Sequence, residues 1–259
     1  MTAPLHPADR PPVALFVTCL VNVMRPQIGF AAVAALEAAG CDVVVPRAQT
    51  CCGQPALNSG DRDGAAAVAR RTIALLEAHD AVVVPSGSCA ATIRVHYPEI
   101  LSHDPAWAPR ALALAAKTWE IMAYLDEVRG WRPGDVALAA TAAYHDSCSG
   151  LRELGIKRQP RRLLGAVAGL SLCALEGDET CCGFGGTFCV KYPAISNAIV
   201  EERAAAIEAS GADLLLAGDL GCLMNMAGKL HRRGARTRAF HAIEVIAGLA
   251  GGAAIGEER

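Results

Sequence analysis

The chain has 259 residues, 53% of them hydrophobic, and its 24 basic and 26 acidic side chains leave a formal net charge of -2. That length and apolar content suffice for one large domain or two smaller ones, each with its own core. The near-balanced charge leaves no electrostatic footprint for nucleic acid or an anionic membrane surface. No uninterrupted apolar run reaches membrane-spanning length, so no direct membrane insertion is expected. Met1 to Pro12 holds Pro4, Pro7, Asp9, Arg10, Pro11 and Pro12 and no apolar h-region, which reads as a cytoplasmic protein. Eleven cysteines, an odd number, suit free thiols in a reducing compartment better than a disulfide framework.

Val13 to Val17 is a short apolar run after a proline pair and reads as a buried parallel strand, with Cys19 just past its end. Pro26 opens a helix that stops at Gly40, Asp42 to Pro46 is a second strand, and the loop over residues 47–60 carries Cys51 and Cys52. A helix from Asp61 to Ala78 leads to a third strand, Ala81 to Pro85, and to the small-residue turn Ser86-Gly87-Ser88-Cys89. Pro98 to Arg110 reads as irregular and Ala111 to Val128 as one helix, and Gly130 with Pro133-Gly134 marks a boundary.

The scheme then repeats. A strand from Val136 to Tyr144 ends at His145-Asp146-Ser147-Cys148, followed by a helix from Arg161 to Ala168 and a strand from Leu170 to Leu175. The loop beyond holds Cys181 and Cys182; a helix from Ile195 to Ser210 and a strand from Asp213 to Ala217 lead to Gly218-Asp219-Leu220-Gly221-Cys222. A short strand, Arg236 to Phe240, and a helix, His241 to Leu249, close the chain.

Each adjacent cysteine pair is flanked by one cysteine before it and one after it. Cys19, Cys51, Cys52 and Cys89 are separated by intervals of 32 and 37 residues around their pair; Cys148, Cys181, Cys182 and Cys222 by 33 and 40. The second set follows the first at offsets of 129, 130 and 133 residues, near-constant values that mark an internal repeat. The expected fold is α/β, with two pseudo-symmetric lobes, each a small, mostly parallel sheet flanked by helices. Residues 12–130 form the first cysteine-rich domain and 134–250 the second. In an open parallel sheet, ligands bind beyond the carboxyl ends of the strands. All eight patterned cysteines fall there, which predicts four converging sulfurs in each lobe.

Thiolates are soft ligands, and four of them suit an iron–sulfur cluster or a closed tetrahedral zinc site. Gly53, Gly183, Gly185 and Gly186 admit backbone conformations closed to other residues and bring N–H groups near sulfur, where donors stabilise negative charge. Cys41 and Cys173 read as small packed hydrophobes. Cys189, seven residues past Cys182, has no counterpart in the first half and reads as packed beside the second site, with ligation the alternative. His145, three residues before Cys148, reads as capping a strand end or bonding Asp146 or a sulfur, with ligation and proton transfer the alternatives. His241 reads as structural, and Arg25, Arg94 and Lys191 as solvated surface. No Gly-x-Gly-x-x-Gly fingerprint or P-loop is present, so there is no sequence case for a nucleotide or flavin site.

Seven stretches together carry a likeness: Phe16-Val17-Thr18-Cys19-Leu20, Gln49 to Pro55, Pro85 to Cys89, His145 to Cys148, Cys181 to Phe188, Lys191-Tyr192-Pro193 and Gly211-Ala212-Asp213. From about residue 12 to 249 the chain resembles the duplicated cysteine-rich CCG domain family, which includes the cysteine-rich subunit of heterodisulfide reductase and part of the glycolate oxidase iron–sulfur subunit. The resemblance implies an iron–sulfur electron-transfer subunit of a cytoplasmic complex that oxidises L-lactate to pyruvate. It implies one cluster per domain, [4Fe–4S] in type with zinc the alternative at one site, held by the eight patterned cysteines as ligands. Its partners would be a ferredoxin-type iron–sulfur subunit and a third protein of the same system. The wider family ends each repeat in Cys-x-x-Cys; here Ser86 and Asp219 replace the first cysteine of that pair, which removes the five-cysteine set used for disulfide cleavage. A thiol–disulfide reductase of heterodisulfide-reductase type and a zinc-stabilised scaffold are the alternative functions.

Overall fold

A computed structural model describes residues 10–257. The reading of the proline-rich start falls mostly on residues 1–9, outside that range. The first half contains four strands, β1 (Pro12–Leu15), β2 (Asp42–Val44), β3 (Val82–Val84) and β4 (Thr118–Glu120). They form one sheet in the order β2-β1-β3-β4, every pairing parallel. The second half contains β5 (Ala137–His145), β6 (Ala168–Cys173), β7 (Leu214–Ala217) and β8 (Arg238–His241), in the order β6-β5-β7-β8, again all parallel. The two-lobed α/β architecture expected from the repeat is therefore present, down to a shared strand order.

Alternation along the strands explains how the lobes pack. Successive side chains of a strand face opposite sides of its sheet. Val13, Leu15 and Val83 point to a core that also holds Ala142, Tyr144, Leu214 and Leu216 from the second sheet. Ala14, Phe16, Val82 and Val84 point the other way, onto the helices Arg62–Leu76 and Ala108–Lys117. In the second sheet Ala143, Leu215 and Ala217 likewise face the helices Pro193–Ala209 and Leu220–Arg232. The central core is thus common to both halves, and burial of one face of each sheet glues the lobes together.

The sequence reading missed β4. The alanine-rich run from Ala111 predicts a helix through Val128, yet the helix ends at Lys117 and Thr118 turns extended, at φ -92° and ψ 133°. Thr118, Trp119 and Glu120 then pair with Val82, Val83 and Val84. A three-residue strand carries no periodicity to compete with helix-forming neighbours; the open edge of β3 decides the matter. Glu120 then caps the next helical turn, its Oε2 accepting the N–H groups of Met122 at 2.9 Å and Ala123 at 3.1 Å. Helical turns at Gln54–Asn58 and Tyr97–Ile100 also occupy stretches read as loop or irregular.

Arg25 corrects a second expectation. It is not solvated surface: its Nε donates to Glu244 Oε1 at 2.9 Å and Oε2 at 3.1 Å, and its Nη2 to the Ala253 carbonyl at 2.9 Å. Only 9% of the residue is exposed, and the pair joins the two halves. Arg94 donates to the Thr118 carbonyl and stands over the Trp119 ring, which leaves Lys191 as the exposed member of the three. No helix among the described residues is long and apolar enough to cross a membrane.

Candidate metal centre

The two halves build their cysteine sites by the same local steps. Cys19 and Cys148 are each the first residue of a helix, Cys19–Met24 and Cys148–Leu154, directly after the central strand. Cys89 and Cys222 are each the third residue of a helix that follows β3 or β7. The cysteine pairs lie in the loops after β2 and β6, and each ends in a glycine with left-handed backbone, φ 88° at Gly53 and 80° at Gly183. That conformation turns the glycine N–H back onto the preceding sulfur: Gly53 donates to Cys51 Sγ and Gly183 to Cys181 Sγ, both at 3.3 Å. A second anchor differs between halves. Tyr97 Oη donates to the Cys52 carbonyl at 2.7 Å, whereas Asn225 Nδ2 donates to the Cys182 carbonyl at 2.8 Å.

These steps bring all eight patterned cysteines to the wall of a single cavity of about 290 Å³ between the lobes. The sequence reading predicts two separate convergences; it does not predict that they face each other. Within the first set, Cys52 Sγ donates to Cys89 Sγ at 3.3 Å. Hydrogen bonds from Cys19 and then Cys52 hold the Cys51 thiol well below the ordinary thiol range, while bonding to Cys51, with burial, pushes Cys19 and Cys52 up. Cys51 is therefore the sulfur of the first set that its neighbours and the Gly53 N–H favour most as the deprotonated one. In the second set, bonding to Cys181 and burial push Cys148 up in the same way. Thr18, just before Cys19, has φ 78° and is the sole non-glycine with positive φ among the described residues. Strain of this kind, ~1–3 kcal/mol, persists where the surroundings over-determine a site.

The donor set fits a soft metal or an iron–sulfur cluster. Each half supplies four sulfurs already in mutual contact or facing one cavity, with an N–H aimed at one of them. Metal binding there would require the thiols to give up their protons. Cys189 stands apart: its thiol donates to the Gly186 carbonyl at 3.2 Å, and it is not on the cavity wall. Cys41 is buried and Cys173 half-buried, both within apolar packing.

Two features refine the sequence reading. Ser86 and Asp219, each three residues before the last cysteine of its set, meet across the seam, Ser86 Oγ donating to Asp219 Oδ1 at 2.6 Å. Asp219 also accepts from Ser88 N at 3.1 Å, Ser88 Oγ at 2.8 Å and Ser147 Oγ at 2.5 Å. Their matched places in the repeat were the available signal. The other feature is His145, whose ring lies with Cys182 Sγ and Cys222 Sγ, all three ligand atoms within 4.8 Å of one another. Burial pushes its imidazole down to about 3, so the ring is neutral. Asp146 does not bond it; that carboxylate takes both Nη atoms of Arg161 at 2.8 and 2.9 Å.

Fold and site together define a class: a two-lobed α/β protein that presents four cysteines from each lobe to a common cavity. The family profile described as a cysteine-rich domain matches this chain twice, over residues 13–94 and 142–227. Lactate utilization protein A of Exiguobacterium sp. is 44% identical over 238 residues, covering 91% of this chain and 97% of that protein. The protein of that name from Bacillus subtilis is 42% identical over 90% of this chain and 98% of its own length. A crystal structure of a hypothetical protein from Helicobacter pylori superposes with a TM-score of 0.67 at 14% identity, over 96% of this chain and 49% of that one. At that identity the likeness speaks for the fold alone, and this chain spans about half the length of that structure. The chain belongs to the cysteine-rich domain family, among its lactate utilization protein A members.

Proposed function

We propose that this chain is an electron-transfer subunit of lactate utilization, holding one iron–sulfur cluster in each half, 12–130 and 134–250. Cys19, Cys51, Cys52 and Cys89 are the proposed ligands in the first half, and Cys148, Cys181, Cys182 and Cys222 in the second. The observation that carries the reading is the shared cavity, onto which all eight sulfurs open. When bound, such clusters, [4Fe–4S] in type, supply reversible one-electron oxidation and reduction. The protein's part is to hold sulfurs in place: Gly53 and Gly183 direct N–H groups at Cys51 and Cys181, and Tyr97 and Asn225 fix the backbone of Cys52 and Cys182. Two one-electron centres facing one space match the two electrons released when L-lactate becomes pyruvate. In this reading the hydroxy acid binds elsewhere, in cytoplasmic partners resembling lactate utilization proteins B, a ferredoxin-type iron–sulfur protein, and C.

The position of Cys189 weighs against the disulfide-reductase alternative, since its thiol is turned to a carbonyl and away from the cavity. The deciding experiment is iron, zinc and acid-labile sulfide analysis of anaerobically purified protein, with EPR spectra before and after reduction. Brown protein with iron, sulfide and a reducible signal is expected. Colourless protein with stoichiometric zinc and no redox signal sinks the proposal in favour of a zinc-stabilised scaffold.

A further inference from the structure

The repeat is close around the sulfurs, and among the buried positions at which it breaks one lies directly beside two of them. Three residues before Cys19 stands Phe16; three residues before Cys148 stands His145. Both are 0% exposed. Phe16 packs in the apolar cluster that contains Cys52 and Cys89. His145 occupies the corresponding place beside Cys182 and Cys222, the second-half equivalents of that pair.

An apolar ring thus satisfies this position in one half, and the other half carries a polar one at a cost. Neither His145 Nδ1 nor Nε2 has a hydrogen-bond partner within the protein. Leaving a buried polar group unpaired is destabilising. Asp146 is engaged by Arg161 and offers no relief. Arg203, also buried with Nε and Nη2 unpaired, interacts electrostatically with both His145 and Cys182 and disfavours a second positive charge on the ring. Two sulfurs, those of Cys182 and Cys222, lie within 4.8 Å of a ring nitrogen. His145 is absent from the cavity wall that both sulfurs line, so the ring lies behind them. A direct ligand of a cluster in the cavity would share that wall; a ring behind the sulfurs is placed to donate to a thiolate.

We propose that His145 is a positioning residue of the second-half centre, donating its single N–H to the thiolate of Cys182 or Cys222 and thereby making that centre easier to reduce. The inference rests on the iron–sulfur reading above. A donor to sulfur stabilises the negative charge gained on reduction, and outer-shell bonds of this kind tune metal sites. Phe16 offers the first-half centre no such donor. The second centre is to be compared with its own variants rather than with the first, since the Asp219 carboxylate acts on Cys148 and Cys222 in the opposite sense.

The test uses the full chain, purified anaerobically as wild type, His145→Phe and His145→Gln, with iron and sulfide analysis and an EPR-monitored redox titration of each. Phenylalanine copies the packing of Phe16, and glutamine keeps an N–H. Unchanged iron and sulfide, a downward shift of one of two midpoints in His145→Phe with the other unmoved, and a smaller shift in His145→Gln are expected. No shift, an equal shift of both midpoints, or a fall in His145→Gln as large as in His145→Phe overturns the proposal. Loss of about half the iron from a still-folded His145→Phe also overturns it, because the ring is then a ligand. Wild-type protein without iron and sulfide instead defeats the iron–sulfur reading itself.

Discussion

Cys51 shows how single residues carry the site. Its sulfur takes the Gly53 N–H and is bonded to neighbouring cysteines that hold its thiol below the ordinary range, so the first set converges on it. Replacing Cys51 or Cys181 by serine should remove about half the bound metal, read by metal analysis, while Cys189→Ser keeps all of it. Glu120 is the other residue with a measurable signature. Burial pushes its carboxyl up to about 8, while its oxygen caps Met122 and Ala123. The acid is protonated in the fold and ionised in the unfolded chain above its ordinary value near 4.5. The unfolded state therefore binds fewer protons, and this group's stabilisation, full below about pH 4.5, is lost as pH rises towards 8. Glu120→Gln keeps the capping oxygen and removes the charge. Its urea midpoint should exceed wild type at pH 8.5, by at most ~5 kcal/mol in stability, and by much less at pH 5. An equal effect at both values would refute the assignment.

Among the elements, glycines decide where loops and helices can approach. Gly183 has φ 80°, and a Cβ there would lie 2.8 Å from the Ser196 carbonyl oxygen. Gly183→Ala should cost ~1–3 kcal/mol and loosen Cys181, seen as weakened metal retention against a chelator. Gly87 opens the helix Gly87–Ala91 at the seam, where a Cβ would meet Gly150 Cα at 3.0 Å and Asp219 Oδ2 at 3.1 Å. Gly87→Ala therefore wedges the helix away from its partner Cys148–Leu154 and from the carboxylate that caps it. A lower Tm is expected, without the loss of a ligand.

For the molecule as a whole, the seam is the decisive feature. A core shared by both sheets, the serine network on Asp219, and the Arg25–Glu244 pair hold the lobes face to face. Glu244 also takes the His241 N–H at 3.0 Å, so one carboxylate links the pair to the last helix start. Removing one partner of a buried ion pair leaves an uncompensated charge, which costs ~3–5 kcal/mol. Arg25→Ala should destabilise by that order, whereas Arg25→Met with Glu244→Leu should recover much of the loss. Failure of the double variant to recover stability would mean that the bonds to the Ala253 carbonyl and from the His241 N–H, not the charge pair, do the holding.

The limits of sequence reading follow from these same residues. The repeated cysteine spacing and the apolar runs specified two matched lobes, their parallel strands and the sulfur sets, because βα-units encode direction and burial locally. β4 stayed hidden because three residues have no period and the edge of β3 recruits them. Arg25 looked like surface, since nothing near it in the chain reveals a carboxylate 219 positions away. By itself the sequence determined which sulfurs group together and at which ends of which strands they lie. Only the tertiary structure decided that both groups open onto one cavity, that Ser86 meets Asp219, and that His145 is left without a partner beside two sulfurs. Those outcomes depend on how two sheet faces built from distant residues fit together, and shape complementarity between such faces has no signature in local order along the chain.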